Sequence, residues 1–125
     1  MSEVPGIRVL VVDDSRVMRQ IVVRTLRQAG YDWEVREAGD GAQALEAVRA
    51  DEPDVILSDW NMPEMTGIDL LRRLRAEGFT TPLGFVTSEG SPEMRELADR
   101  EGALFLIAKP FTPEGFREVI EPVLA

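Results

Sequence analysis

Neither cysteine nor histidine occurs anywhere in this 125-residue chain. The missing cysteine rules out disulfides and thiolate metal sites and is compatible with a reducing compartment. The missing histidine rules out a catalytic triad, a histidine-based zinc site and phosphohistidine formed within the chain. Proton transfer is left to carboxylates, one tyrosine, one lysine or water. Long apolar runs are absent as well: none approaches the ~20 residues that cross a bilayer. The opening MSEVPG lacks the basic-then-apolar layout of a signal peptide. These absences predict a cytoplasmic protein with no membrane partner. Basic residues are few, 14 against 23 acidic, for a net charge of −9. That balance opposes nucleic-acid binding and favours cations or basic partner surfaces. Glycine-rich phosphate loops are also missing, which excludes the usual nucleotide-binding enzymes.

What is present is a hydrophobic pattern that changes period repeatedly. Ile7–Val12 is a short apolar run closed by Asp13-Asp14, as in a buried parallel strand. Met18, Ile21, Val22, Leu26 and Ala29 then recur at helical spacing until Gly30. Trp33–Ala38 alternates, which predicts a more exposed edge strand. Asp40 with Gln43 opens a helix carrying Ala44, Leu45 and Val48. Asp54–Asp59 is the third strand, and Thr66 with Asp69 starts a helix bearing Leu70, Leu71 and Leu74. Pro82–Ser88 is the fourth strand, and Ser91-Pro92 begins a helix with Met94, Leu97 and Ala98. Ala103–Ala108 is the fifth strand. Thr112-Pro113 begins the last helix, with Phe116, Val119, Ile120 and Val123 expected to face inward. Five such units imply right-handed crossovers and an α/β fold whose parallel sheet has helices on both faces.

Sites in open α/β sheets lie beyond the carboxyl ends of the strands. Strand one ends in Asp13-Asp14, strand three in Asp59, strand four in Thr87-Ser88 and strand five in Lys109-Pro110. Singly, each has a plainer reading as a helix cap, a strand-end hydroxyl or a solvated lysine. Together they converge on one edge. Crowded carboxylates repel, and a hard divalent cation such as Mg²⁺ relieves the repulsion. A phosphoryl group could then sit between cation, ammonium and hydroxyl, with Asp59 as nucleophile. Lys109 sharpens the pattern, because the other 13 of the 14 basic residues are arginine.

The segments VVDDS (11–15), SDWNMPEMTG (58–67), VTSEG (86–90) and AKPF (108–111) resemble the receiver domain of two-component response regulators, especially the stand-alone chemotaxis (CheY-like) type. The resemblance covers Ile7–Leu124, expected to form one receiver domain, 7–124. It implies a doubly wound, flavodoxin-like (βα)5 sheet of order 2-1-3-4-5. By position, Asp59 resembles the phosphoacceptor. Asp14, Asp59 and the backbone carbonyl of Asn61 would hold Mg²⁺, with Asp13 acting through water. Lys109 would pair with Asp59 and then the phosphoryl group, Thr87 would swing to hydrogen-bond that group, and Lys109-Pro110 would be cis. Gly67 would suit a tight turn, while Asn61 and Glu89 would tune water attack and imply a short-lived phosphorylated state. The donor would be a sensor histidine kinase or a histidine phosphotransfer protein. The target would be a protein bound through the helix 4–strand 5–helix 5 face.

One position departs from the pattern. Where the family usually has a switching Tyr or Phe, this chain has Leu106, and alternation aims the adjacent Phe105 at the opposite face. Coupling is therefore expected to run mainly through Thr87 and the loop after it. Two other readings compete: a phosphorylation-independent interaction module, and an aspartyl phosphatase. The second lacks the usual second acid, since Asn61 stands there, and any cap to recognise a substrate. The chain is thus expected to be no substrate-processing enzyme but a receiver acting on itself, either stand-alone or cut from a longer protein.

Overall fold

The structure is a computed structural model that describes residues 6–124. The opening segment lies outside the described residues up to Pro5, and so does Ala125. Five strands alternate with five helices: β1 (Arg8–Val12), α1 (Arg16–Gln28), β2 (Glu34–Ala38), α2 (Gly41–Ala50), β3 (Val55–Ser58), α3 (Gly67–Ala76), β4 (Leu83–Thr87), α4 (Pro92–Arg100), β5 (Leu106–Ala108) and α5 (Pro113–Leu124). All pairings are parallel, in the order β2-β1-β3-β4-β5.

Side-chain alternation along the strands divides the core in two. Leu10, Val12, Ile56, Leu83, Phe85 and Leu106 face α2, α3 and α4. Val9, Val11, Leu57, Val86 and Ile107 face α1 and α5. Most are almost wholly buried, each contributing roughly 1.5–3 kcal/mol of transfer free energy. β2 lies at an edge and is half exposed, as its alternation predicts.

Local chemistry starts α2, α3, α4 and α5 where expected, and Ser15 does the same for α1. Ser15, Asp40 and Ser91 each accept a hydrogen bond from the backbone N–H three residues on. Thr66 and Asp69 form a reciprocal capping box. Thr112 Oγ1 accepts from Gly115 N at 3.0 Å and opens α5.

Two expectations need correction. Regular β5 begins at Leu106, not Ala103, because the turn closing α4 extends through Gly102, whose φ is +89°. Pairing with β4 nevertheless starts earlier, through Leu104 N to Leu83 O at 2.8 Å. Val123 does not face the core: it is 42% exposed. It sits on the rim of an apolar groove at the amino-terminal end of the sheet, with Ile7, Trp33 and Leu104.

Candidate functional site

The four strand ends named from sequence meet at the carboxyl edge of the sheet. Asp13 follows β1 and is held from several sides. Its N–H donates to Ala38 O at 3.2 Å, and its Oδ1 accepts from Ser15 N at 2.9 Å. Asp59 follows β3, donates its N–H to Val12 O at 2.8 Å, and accepts from Trp60 N at Oδ1, also at 2.8 Å. Both carboxylates are buried, whereas Asp14 is exposed at the mouth. Carboxylate oxygens of Asp13, Asp14 and Asp59 lie within 4.8 Å of one another.

One ammonium answers these three charges. Lys109 Nζ donates to Asp13 Oδ2 at 3.3 Å and stands 3.9 Å from Asp59 Oδ1. The expected pairing with Asp59 is present as the longer of two ion pairs: the ammonium sits between the two acids and nearer Asp13. Burial, and then the Asp13 charge, push the Asp59 carboxyl above the ordinary carboxylate range. Lys109 and the N–H groups of Trp60 and Asn61 oppose that rise without cancelling it. A cluster of three acids, oxygen donors only, with one of them resisting ionisation, suits a hard divalent cation.

Thr87 ends β4 fully buried, and its Oγ1 accepts from Glu89 N at a long 3.4 Å. Lys109 N donates to Thr87 O at 2.7 Å, so the hydroxyl and the ammonium arise from paired strand ends. Asn61 and Glu89 are exposed at the rim. Lys109-Pro110 is cis. Leu106 is 8% exposed on the α4 side, while Phe105 packs on the other face, over Gly84.

Gly67 serves a different purpose from the expected turn. It is the first residue of α3, and a Cβ there would lie 2.3 Å from Asp59 O and 2.7 Å from Phe85 Cε1. Close approach of α3 to the end of β3 requires the glycine. The sequence reading also passed over Arg19. Its Nη1 donates to Asp13 O at 2.7 Å and its Nε to Glu37 Oε1 at 2.8 Å, bracing the acidic turn against β2. The available signal was a cation in the second turn of a helix, near the end where the dipole disfavours positive charge.

Compared with known proteins, the sequence matches the family described as response regulator receiver domain over residues 9–121. The chain belongs to that family. It is 41% identical over 120 residues to the chemotaxis protein CheY1 of Helicobacter pylori, covering 94% of this chain and 96% of that protein. It is 38% identical to the chemotaxis protein CheY of Pseudomonas aeruginosa, over 93% of this chain and 94% of that one. Among solved structures, chemotaxis protein CheY4 of Vibrio cholerae superposes with a TM-score of 0.83 at 38% identity, covering 94% of this chain and 98% of that chain. The receiver domain of a NarL regulator from Mycobacterium tuberculosis does so with a TM-score of 0.78 at 33% identity, over 95% and 94%. The receiver is therefore a CheY-like phosphoacceptor response regulator of two-component signalling, with the 2-1-3-4-5 sheet of those structures. No helix among the described residues is long and apolar enough to cross a membrane.

Proposed function

We propose that Asp59 is the phosphoacceptor and that the cluster around it performs both transfer and release. The observation that carries this reading is the meeting of Asp13, Asp14 and Asp59 within 4.8 Å, with Lys109 Nζ between two of them. Asp14, Asp59 and the Asn61 carbonyl would hold Mg²⁺, with Asp13 acting through water. When bound, the cation supplies neutralising charge for phosphoryl oxygens.

The chain's own groups do the rest. An Asp59 carboxylate oxygen attacks phosphorus, and the bond from phosphorus to the donor breaks. With a phosphohistidine donor the bonding pair leaves on imidazole nitrogen, and with acetyl phosphate it leaves on acetate. Lys109 turns its ammonium from the acids to a phosphoryl oxygen, which compensates the charge carried there. Thr87 offers its hydroxyl to a second phosphoryl oxygen, giving up its long contact with Glu89 N. Asn61 and Glu89, exposed at the mouth, set how readily water reaches the acyl phosphate. The protein thus catalyses its own phosphorylation and dephosphorylation and processes no separate substrate. A sensor histidine kinase or histidine phosphotransfer protein in the cytoplasm would supply the group. A protein target would read the α4–β5–α5 face.

Trp60, buried and 4.7 Å from Phe85, reports on this site. Adding Mg²⁺ and then acetyl phosphate or beryllofluoride should change its fluorescence in the wild type. Asp59→Asn should abolish the response to the phosphoryl donor or mimic. No response in the wild type, together with a mass spectrum free of any phosphoryl adduct, would sink the assignment.

A further inference from the structure

β5 is an edge strand, so one row of its backbone groups has no partner strand. Phe105 O accepts from Phe85 N and Lys109 N donates to Thr87 O, which leaves the Leu106 carbonyl pointing outward from the sheet. That carbonyl is met by Arg95 of α4, whose Nη1 donates to it at 3.2 Å. The same guanidinium donates from Nε to Gly90 O, also at 3.2 Å. Arg95 pairs with no carboxylate among the described residues, unlike Arg100 on the same helix, which pairs with Glu96 at 3.0 Å. Its fixed fork instead ties the loop after Thr87 to the edge of the sheet.

Gly90 lies close against this tie and against β5. A Cβ at Gly90 would lie 3.1 Å from Arg95 Nη2, 3.2 Å from Ala108 Cβ and 3.6 Å from Leu106 Cδ2. At its other end the loop is held to the site by the 3.4 Å contact from Glu89 N to Thr87 Oγ1. Leu106 is buried and has no polar atom with which to follow the Thr87 hydroxyl.

We propose that Arg95 is the positioning residue that carries the state of Thr87 to the α4–β5 face: its guanidinium clamps Gly90 O to Leu106 O in the unphosphorylated chain and releases one of them when the Thr87 hydroxyl turns to a phosphoryl group. This rests on the function proposed above for Asp59 and Thr87, and it adds the route by which that site reaches the surface. The released donors stay on α4, beside a groove of about 190 Å³ lined by Ala98, Ala103 and Leu106. The two arrangements differ in a discrete set of hydrogen bonds, as a two-state switch requires.

The test is amide hydrogen exchange of the whole chain with Mg²⁺, with and without beryllofluoride, for wild type, Arg95→Ala and Arg95→Lys. Trp60 fluorescence is recorded in parallel, and thermal unfolding checks that each variant is folded. In the wild type, beryllofluoride should raise exchange at residues 88–95 and 104–108 about tenfold, the scale of losing one charge-assisted hydrogen bond. Arg95→Ala should show the raised exchange without beryllofluoride and change less than twofold on adding it, with its Trp60 response intact. Arg95→Lys, which keeps the charge but not the fork, should fall between them; a lysine variant equal to wild type overturns the clamp. So does an alanine variant that keeps the full wild-type response, or one that loses its Trp60 response. No Trp60 response in the wild type removes the Asp59 reading, and the coupling falls with it.

Discussion

Replacing Gly67 by alanine sets two effects against each other. Gly67 is the first residue of α3 and its φ is not positive, so alanine can adopt the backbone. In an open helix the change would stabilise by up to ~1 kcal/mol. Here the new methyl would lie 2.3 Å from Asp59 O, 2.7 Å from Phe85 Cε1 and 3.0 Å from Trp60 Cα. Two of these atoms are backbone, and the third belongs to a ring that is 0% exposed. Ordinary carbon contacts sit near ~3.5 Å, so the overlap approaches ~1 Å with nothing flexible to yield. Overpacking of this kind costs about 1–3 kcal/mol and outweighs the propensity gain. Urea unfolding followed by tryptophan fluorescence should therefore show a midpoint lowered by roughly 1 M for a 2 kcal/mol loss, at unchanged slope. Phosphorylation by acetyl phosphate should slow as well, because relief of the clash moves the Asp59 backbone. Wild-type stability in Gly67→Ala would refute the close-approach argument and show α3 free to slide along β3.

Four further outcomes can be checked. Asp59→Asn should stabilise the metal-free chain at neutral pH by about 1 kcal/mol, since it removes a desolvated charge. A carboxyl held above its ordinary 3.8 contributes stability that is full below that value and is lost as pH rises through its folded value. The wild-type and Asp59→Asn melting curves in a chelator should therefore converge at low pH and separate toward neutrality; equal melting at neutral pH would contradict this. Thr87→Ala should fold, losing about 1 kcal/mol, accept phosphate, and fail in phosphorylation-dependent partner capture; intact capture would remove Thr87 from the route. Gly84→Ala should destabilise by about 1–3 kcal/mol, because its Cβ would lie 2.3 Å from the Phe105 ring. Adding Phe105→Ala should recover part of that loss in a double-mutant cycle, whereas strict additivity would deny the contact. With Asn61 and Glu89 at the mouth, the acyl phosphate should decay quickly, and a half-life of many hours by phosphate release would exclude their tuning role.

How far the residues could be read depended on whether the signal was local. Helix starts were readable at Asp40, Thr66, Ser91 and Thr112 because a cap is settled within three residues. The strand ends were readable because Asp13, Asp59, Thr87 and Lys109 each follow an apolar run. Strand order was not in the periodicity, since alternation says which face a side chain takes but not which strand lies beside it. The role of Gly67 was misjudged for the same reason: Asp59 is eight positions away, Phe85 eighteen, and only packing brings them to one point. Arg19 and Arg95 were missed because each acts through its guanidinium on backbone carbonyls outside its own helix, Asp13 O for the first and Gly90 O with Leu106 O for the second. No residue type marks a carbonyl as the one to be met.

The exchange of aromatic and small residues between neighbouring positions bears on how the receiver signals. Phe105 lies over Gly84 on the α1–α5 face, and Leu106 is buried on the other. A phenyl ring at 105 needs the space that only a glycine at 84 leaves, so the two positions form one packing unit. That unit fixes the sheet side of the α5 interface, so it provides rigidity rather than movement. At 106 an aliphatic side chain in a filled core has no polar end whose hydrogen bond could change with the state of the site. On the proposed function, a signal from Thr87 would reach the α4–β5 surface through groups that can exchange hydrogen-bond partners. Between the Thr87 loop and the β5 edge, the Arg95 guanidinium holds both sides at once. A receiver built this way would change the hydrogen-bond donors its surface cation presents rather than the rotamer of a ring, and its partner should be sensitive to ionic strength at that face.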